Sequence, residues 1–316
     1  MPRLLATLLA ALLASVACTD RQEIVIFHSP SLSRVLLDIG EEFAKQNPQF
    51  RLRVEVSASL VATRKLTELN LLADVLVLAD ADVIDKMLLP DYADWNVRFA
   101  INEIVLAHAA HSRYTEEITT DNWPAILTRS HVRLGLANPD TSPLGYQTLF
   151  VLGLAESAYR YPNLAQTLRT GVAPEHIAAD EAELWALLSS RAIDYAFLYR
   201  STAEDQRLKL TALPADINLS QPEHEADYAK AAASVVLKHD QTPVTIRGAT
   251  IWYGVTVPRA APHPEAAQKY VAFLLGESGQ RALRHAGFRP CVPALSAQWR
   301  ALPADVQRLA VASQPQ

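Results

Sequence analysis

Cysteine is almost missing from this chain: two occur in 316 residues, Cys18 and Cys291. That excludes a disulfide scaffold, and no zinc or iron–sulfur ligand spacing can be built from the pair. Long apolar runs are missing too. The charge-free run Leu4–Leu13 is about half of the roughly twenty residues that a spanning helix needs. An excess of basic charge is absent, with 29 Lys and Arg against 34 Asp and Glu, which speaks against nucleic-acid binding. An anionic ligand would therefore be held by local groups rather than drawn in by overall charge. There is no Gly-x-Ser-x-Gly elbow, no Gly-x-Gly-x-x-Gly loop and no Walker A sequence, so the commonest hydrolase and nucleotide-binding signatures are excluded.

What is present begins at residue 1. Met1, Pro2 and Arg3 lead into the apolar run, and Ala14-Ser15-Val16-Ala17-Cys18 follows it. This is the layout of a secretory signal over residues 1–17. Ser15 and Ala17 suit a signal peptidase, whereas Ala17-Cys18 also has the form of a lipoprotein acceptor, although Ser15 stands where a bulky aliphatic residue is usual. Both readings, and a cytoplasmic chain with an accidental apolar start, remain open. If Cys18 is lipidated, Cys291 is a free thiol; otherwise an 18–291 bridge is possible. Removing residues 1–17 takes off Arg3 and moves the formal charge from −5 to −6. Half of the chain is apolar, enough for one large unit or two medium domains.

The early chain alternates strand and helix. Residues 23–27 read as a strand, and 31–46 as an amphipathic helix with Leu32, Val35, Leu36, Ile39 and Phe43 on one stripe. Residues 51–56 alternate with period two, a helix is expected over 60–72, and 73–79 is a continuous buried strand. This order predicts an α/β layer architecture. The aromatic and turn-rich stretch 90–103 reads as a first crossing between two lobes, and 246–250 as the return. Between them a strand is expected at 133–137, helices from 145 to 158 and over 180–190, and a strand at 193–198. Helices over 264–275 and 277–285 follow, with a helical tail at 302–310.

Three junctions place small hydroxyl residues before a helix: Ser29-Pro30-Ser31-Leu32, Ser57-Ala58-Ser59-Leu60 and Thr141-Ser142-Pro143-Leu144-Gly145. Each helix start exposes unpaired N–H groups and a positive dipole end. A serine there either caps its helix or turns toward a bound anion. Ligands of open α/β sheets bind beyond the carboxyl ends of strands, where Ser31 and Ser59 both fall. His28 reads as structural or capping, and Arg64 and Lys65 as the solvated face of a helix. Tyr195 and Tyr199 raise a ferric-ion alternative, without an acidic or histidine partner beside them in sequence.

The run Ile26-Phe27-His28-Ser29-Pro30-Ser31-Leu32, with Ser57-Ala58-Ser59-Leu60-Val61-Ala62-Thr63-Arg64-Lys65-Leu66-Thr67-Glu68-Leu69, resembles the archaeal-type molybdate/tungstate-binding proteins of ABC transporters. The likeness continues through Ala73-Asp74-Val75, Pro90-Asp91-Tyr92-Ala93-Asp94-Trp95, Asn122-Trp123, Asn138-Pro139-Asp140, Ile193-Asp194-Tyr195-Ala196-Phe197, 213–220 and Tyr253-Gly254-Val255-Thr256, and covers roughly residues 23–290. The resemblance implies an α/β, two-lobed periplasmic-binding-protein type II fold, each lobe a mixed sheet flanked by helices, with the ligand in the cleft. The lobes would be 18–101 with 248–316, and 102–247. It implies a non-enzymatic, monomeric extracytoplasmic protein without a cofactor. Its cargo would be an oxyanion, molybdate or tungstate, and its partner the inner-membrane permease of an ABC importer, with no nucleic acid involved.

By the same resemblance Ser31 and Ser59 match serines of the family's two anion loops, with Pro30 and Ala58 in place of glycines. The family's usual Asp-Pro-Cys-Gly-Tyr-Arg reads here Ser142-Pro143-Leu144-Gly145-Tyr146-Gln147, and its Phe-Glu-Tyr reads Phe197-Leu198-Tyr199. Both carboxylates that complete an expanded metal coordination in the family are therefore replaced, by Ser142 and Leu198. The expected ligand set is Ser31, Ser59, Ser142, Gly145, Tyr146 and Tyr199, a cradle of hydroxyls and amides for a tetrahedral ion. Sulfate or another small oxyanion, ferric ion, and an α/β hydrolase or transferase are the alternatives.

Overall fold

The computed structural model describes residues 21–237 and 242–314. The expected signal at 1–17 and the acceptor Cys18 lie outside the described residues. Two sheets organise the rest, each flanked by helices. Strand β1 (Gln22–His28) is followed by helix α1 (Ser33–Gln46), β2 (Phe50–Val56), helix α2 (Ser59–Thr67), β3 (Val75–Leu78), helix α3 (Ala81–Met87) and β4 (Val97–Ile101). The second sheet takes β5 (Ile104–His108), β6 (Leu134–Ala137), β7 (Ile177–Ala178), β8 (Tyr195–Tyr199) and β9 (Lys209–Thr211). A hairpin of β10 (Ala232–Val236) and β11 (Pro243–Arg247) precedes β12 (Trp252–Thr256), β13 (Arg289–Ser296) and β14 (Ala310–Ala312), which return to the first sheet.

The first sheet runs β14-β13-β4-β12-β3-β1-β2 and the second β7-β6-β8-β5-β9. β1 is parallel to both β2 and β3, while β12 is antiparallel to β3 and β4. β3 is buried along its length, as its unbroken apolar run requires of a strand covered on both faces. Helix α1 turns Val35, Leu36, Ile39 and Phe43 inward. Phe43 stacks on Phe50 at 5.9 Å and meets Tyr270 and Phe273 edge-on, each at 5.3 Å. Such pairs add about 0.5–1.5 kcal/mol each beyond area burial, so one ring ties α1 to β2 and to the helix Pro264–Leu275.

Between β4 and β5 the chain passes from one sheet to the other within two residues, Asn102 and Glu103. The return segment lies beside this crossing: Asn102 N donates to Ile251 O at 3.2 Å, Ile251 N to Leu219 O at 2.9 Å, and Ile104 N to Asn218 O at 3.0 Å. Backbone bonds thus hold the crossing segments side by side.

Several elements depart from sequence expectation. The first helix starts at Ser33 because Pro30–Leu32 form a tight 3-10 turn. The second stops at Thr67, and Asn70 then takes a left-handed φ of 53°. The stretch 90–103 holds strand β4, whose apolar signal is interrupted by Arg98; that guanidinium is buried against Asp82 at 2.9 Å and Asp85 at 3.2 Å. The tail is a short helix, Ala304–Gln307, followed by β14 pairing parallel to β13.

Candidate functional site

Three strand ends of the first sheet converge. Ser29 follows β1, Ser59 opens the helix after β2, and Ala79 follows β3. Ser29 Oγ and Ser59 Oγ lie 2.7 Å apart, and Ala79 N donates to both, at 3.0 and 3.2 Å. The Ser59 hydroxyl is wholly buried and turned to these neighbours. Ser31, in the turn before α1, meets Tyr253 of β12 instead, Oγ to OH 2.8 Å. Asn102 Nδ2 donates to the same phenol at 3.3 Å and to Ser201 Oγ at 2.8 Å.

The second lobe approaches with helix α4 (Pro143–Ala158) and helix α5 (Glu181–Ser189). Ser142 is buried at the N-cap of α4, yet its side chain makes no capping bond. Gly145 N donates to Ser142 O at 3.0 Å. A Cβ at Gly145 would stand 2.5 Å from Pro139 N and 2.7 Å from Ala137 O, so glycine lets α4 start hard against the end of β6. Tyr146 OH donates to Asp80 Oδ2 at 2.6 Å across the cleft. Gln147 links the two phenols, since its Oε1 accepts from Tyr199 OH at 2.7 Å and its Nε2 reaches Asp80 Oδ2 at 3.5 Å. The Tyr199 and Tyr253 rings meet edge-on at 5.9 Å.

Of the six residues expected from sequence, Ser31 bonds to Tyr253, whereas Tyr146 and Tyr199 are joined through Asp80 and Gln147; the two polar clusters meet where the Tyr199 and Tyr253 rings touch. Ser59 sits in the adjoining serine pair, and Ser142 and Gly145 form the start of α4. These clusters contain two carboxylates that sequence reasoning did not single out, Asp80 in one and Glu181 in the other. Asp80 caps α3 through Asp82 N at 2.8 Å. Burial, with Asp82 beside it, lifts its carboxyl to about 6, against the lowering effect of Tyr146. Glu181 is 2% exposed, and its Oε1 accepts from Ser31 N at 2.9 Å. Burial raises this group to about 7, although bonds to backbone amides pull it down. Carboxylates are replaced at 142 and 198, but two others, Asp80 and Glu181, bond to Tyr146 and to the Ser31 amide. An acid in the first turn of a helix is common, so nothing in the sequence at Asp180-Glu181 marks a residue that reaches the other lobe.

The basic side chains fall elsewhere. Lys65 pairs with Glu55 at 2.5 Å and with Ser57 Oγ at 2.6 Å. Arg64, read as solvated, instead donates to the backbone carbonyls of Asp140 at 3.0 Å, Leu237 at 3.2 Å and Val236. It clasps the second lobe from α2. His28 is buried with Nδ1 2.9 Å from Ser29 O, and burial lowers its pKa. Tyr195 OH donates to Arg113 O, away from Tyr199, so the two phenols have different partners. Among the described residues no group of three or more His, Cys, Asp or Glu could hold a metal ion.

Serines gathered at the carboxyl ends of β1 and β2, facing the helix starts of a second lobe, are the arrangement of a solute cleft. The family of bacterial extracellular solute-binding proteins matches residues 24–289. The chain belongs to this family. An uncharacterized solute-binding protein of Petrotoga mobilis is 35% identical over 265 residues, covering 84% of this chain and 83% of its own. The molybdate/tungstate-binding protein WtpA of Pyrococcus abyssi is 35% identical over 289 residues, covering 83% of each. Two solved structures share the fold. The sulfate-binding protein SubI of Mycobacterium tuberculosis has a TM-score of 0.62 at 14% identity, covering 92% of this chain and 94% of its own. The periplasmic molybdate-binding protein of Azotobacter vinelandii has 0.58 at 16%, covering 84% and 98%. As a member of the extracellular solute-binding family, the chain acts outside the cytoplasm by binding a solute, not by transforming one. Among the described residues no helix is long and apolar enough to cross a membrane.

Proposed function

We propose that this solute-binding protein carries a tetrahedral oxyanion, molybdate or tungstate, to the permease of an ABC importer. The observation that carries the reading is the donor set at Ser31: a backbone N–H already bonded to a carboxylate oxygen at 2.9 Å, beside a hydroxyl bonded to a buried phenol at 2.8 Å. A site that accepts one anionic oxygen in this way suits another, because charge-assisted bonds to fixed N–H groups need no basic side chain. Relatives named for molybdate and tungstate, at 34 and 35% identity, support the choice of cargo. Ser31, Ser59, Ser142, Gly145, Tyr146 and Tyr199 are the proposed contacts, with the lobes divided as 18–101 plus 248–316, and 102–247. Residues 1–17 are proposed as an export signal, Cys18 as a lipid anchor, and the mature protein as a monomer.

Sulfate is the second reading, favoured by Ser142 and Leu198, which offer no carboxylate to an expanded metal centre. Calorimetry with molybdate, tungstate and sulfate decides: one-to-one binding of molybdate or tungstate, weakened about tenfold or more by Ser31→Ala, is the expected result. Binding of sulfate alone replaces the cargo, and no heat from any of the three overturns the oxyanion reading. X-ray absorption on a molybdate complex is expected to give four short metal–oxygen bonds, and a six-coordinate metal would refute the tetrahedral site.

A further inference from the structure

The contact between Glu181 and Ser31 joins two lobes across 150 residues of sequence. It places a carboxylate on an amide that faces the cleft. Burying a carboxylate is tolerated only where donors replace its water, and the Ser31 N–H at 2.9 Å is the donor supplied by the opposite lobe. A cargo anion seated on the same N–H would bring two negative groups together in a site of low polarisability, where their repulsion is strong. We propose that Glu181 and the cargo oxyanion compete for the Ser31 amide, which makes this carboxylate a determinant of which anions the cleft retains.

This inference rests on the oxyanion reading and adds the group that opposes it. Glu181 is the first residue of α5, and the cap of that helix is Asp180, whose Oδ1 accepts from Ala182 N at 3.0 Å and Glu183 N at 3.1 Å. The Glu181 side chain can therefore leave Ser31 without undoing the helix start. An anion that binds must form bonds good enough to displace a carboxylate that is already in place. Tetrahedral dianions with several oxygens do so by engaging the Ser31 hydroxyl and neighbouring donors together; a weakly accepting monoanion does not.

The test titrates the full mature chain with sodium molybdate, tungstate and sulfate by calorimetry at pH 8, above the level of about 7 to which burial lifts Glu181. Glu181→Gln keeps the shape and removes the charge; Glu181→Ala removes the competing acceptor altogether. Both are expected to bind the preferred anion about tenfold tighter or more than the parent, a gain that a merely damaged fold does not produce. Unchanged or weaker binding by both variants, with the parent still binding, overturns the competition alone. If Glu181→Gln alone binds the preferred anion more weakly, the Glu181 carboxylate supports the site instead of competing for it, and the inference fails in that form. Absence of binding in parent and variants alike defeats the oxyanion reading, and competition with it.

Discussion

Asp80 and Glu181 are acids held between the lobes, lifted by burial to about 6 and about 7. The sign of their effect on folding follows from where the proton is held more tightly. The folded chain keeps these protons to higher pH than the unfolded chain, whose carboxyls ionise near 4, so the two groups favour folding most at low pH. Their contribution falls as pH rises from about 4 through about 7. Denaturant midpoints measured from pH 4.5 to 8 should show this decline superimposed on the other titrations, and Glu181→Gln should flatten its upper part. An identical slope in the variant would contradict the burial of a titrating Glu181. Tyr146→Phe removes the donor 2.6 Å from the Asp80 carboxylate and is expected to cost about 1–3 kcal/mol at pH 8, read from the same midpoints. That Ser31, Tyr146 and Tyr199 lie between the lobes was legible, because a hydroxyl before a helix and a family pattern marked them. Asp80 and Glu181 were not, since an acid at a helix start is so common that its reach across the cleft leaves no trace in sequence.

At the scale of elements, α1, β1 and β3 were readable because their apolar residues enter one core, and β2 was readable from its alternation, although its Val54 and Val56 stay largely exposed. β4 was obscured by Arg98, whose burial depends on Asp82 and Asp85 of α3 and so on a tertiary pairing. β14 was missed because three residues have no periodicity and form a strand only by lying beside β13. The start of α4 is set by close backbone approach at Gly145. Gly145→Ala would press a methyl against the main chain of 137–139, and an expected loss of about 1–3 kcal/mol should appear as a lower thermal midpoint. The Arg64 clasp from α2 to the carbonyls of Asp140, Val236 and Leu237 ties the β10–β11 hairpin to the first lobe. Arg64→Ala should speed amide exchange at Val236 and nearby residues while leaving the first sheet protected; unchanged exchange there would argue that the clasp contributes no stability.

For the whole molecule, the two-residue passage at Asn102 and Glu103 and the bonds of Asn102 to Ile251 and of Ile251 to Leu219 concentrate the connections between lobes in one narrow band. Polar cross-cleft contacts include Glu181 with Ser31, Tyr146 with Asp80 and Arg64 with its carbonyls, and the Tyr199 and Tyr253 rings add an aromatic one. Such a layout allows a hinge, and small-angle scattering should report a larger radius for a Glu181→Ala, Arg64→Ala double variant than for the parent when both are stripped of anion. The order of strands has a further consequence. The five strands of the second sheet come from one stretch, residues 104–211, whereas β3 waits for β12, which begins at Trp252, and β4 for β13, which begins at Arg289. A chain emerging from its N-terminus can therefore complete the later sheet while the earlier one still has unsatisfied edges. The first sheet gains its last inner pairings only after β12 and β13 have been made, so its completion depends on contacts far apart in sequence and comes later than that of the second sheet.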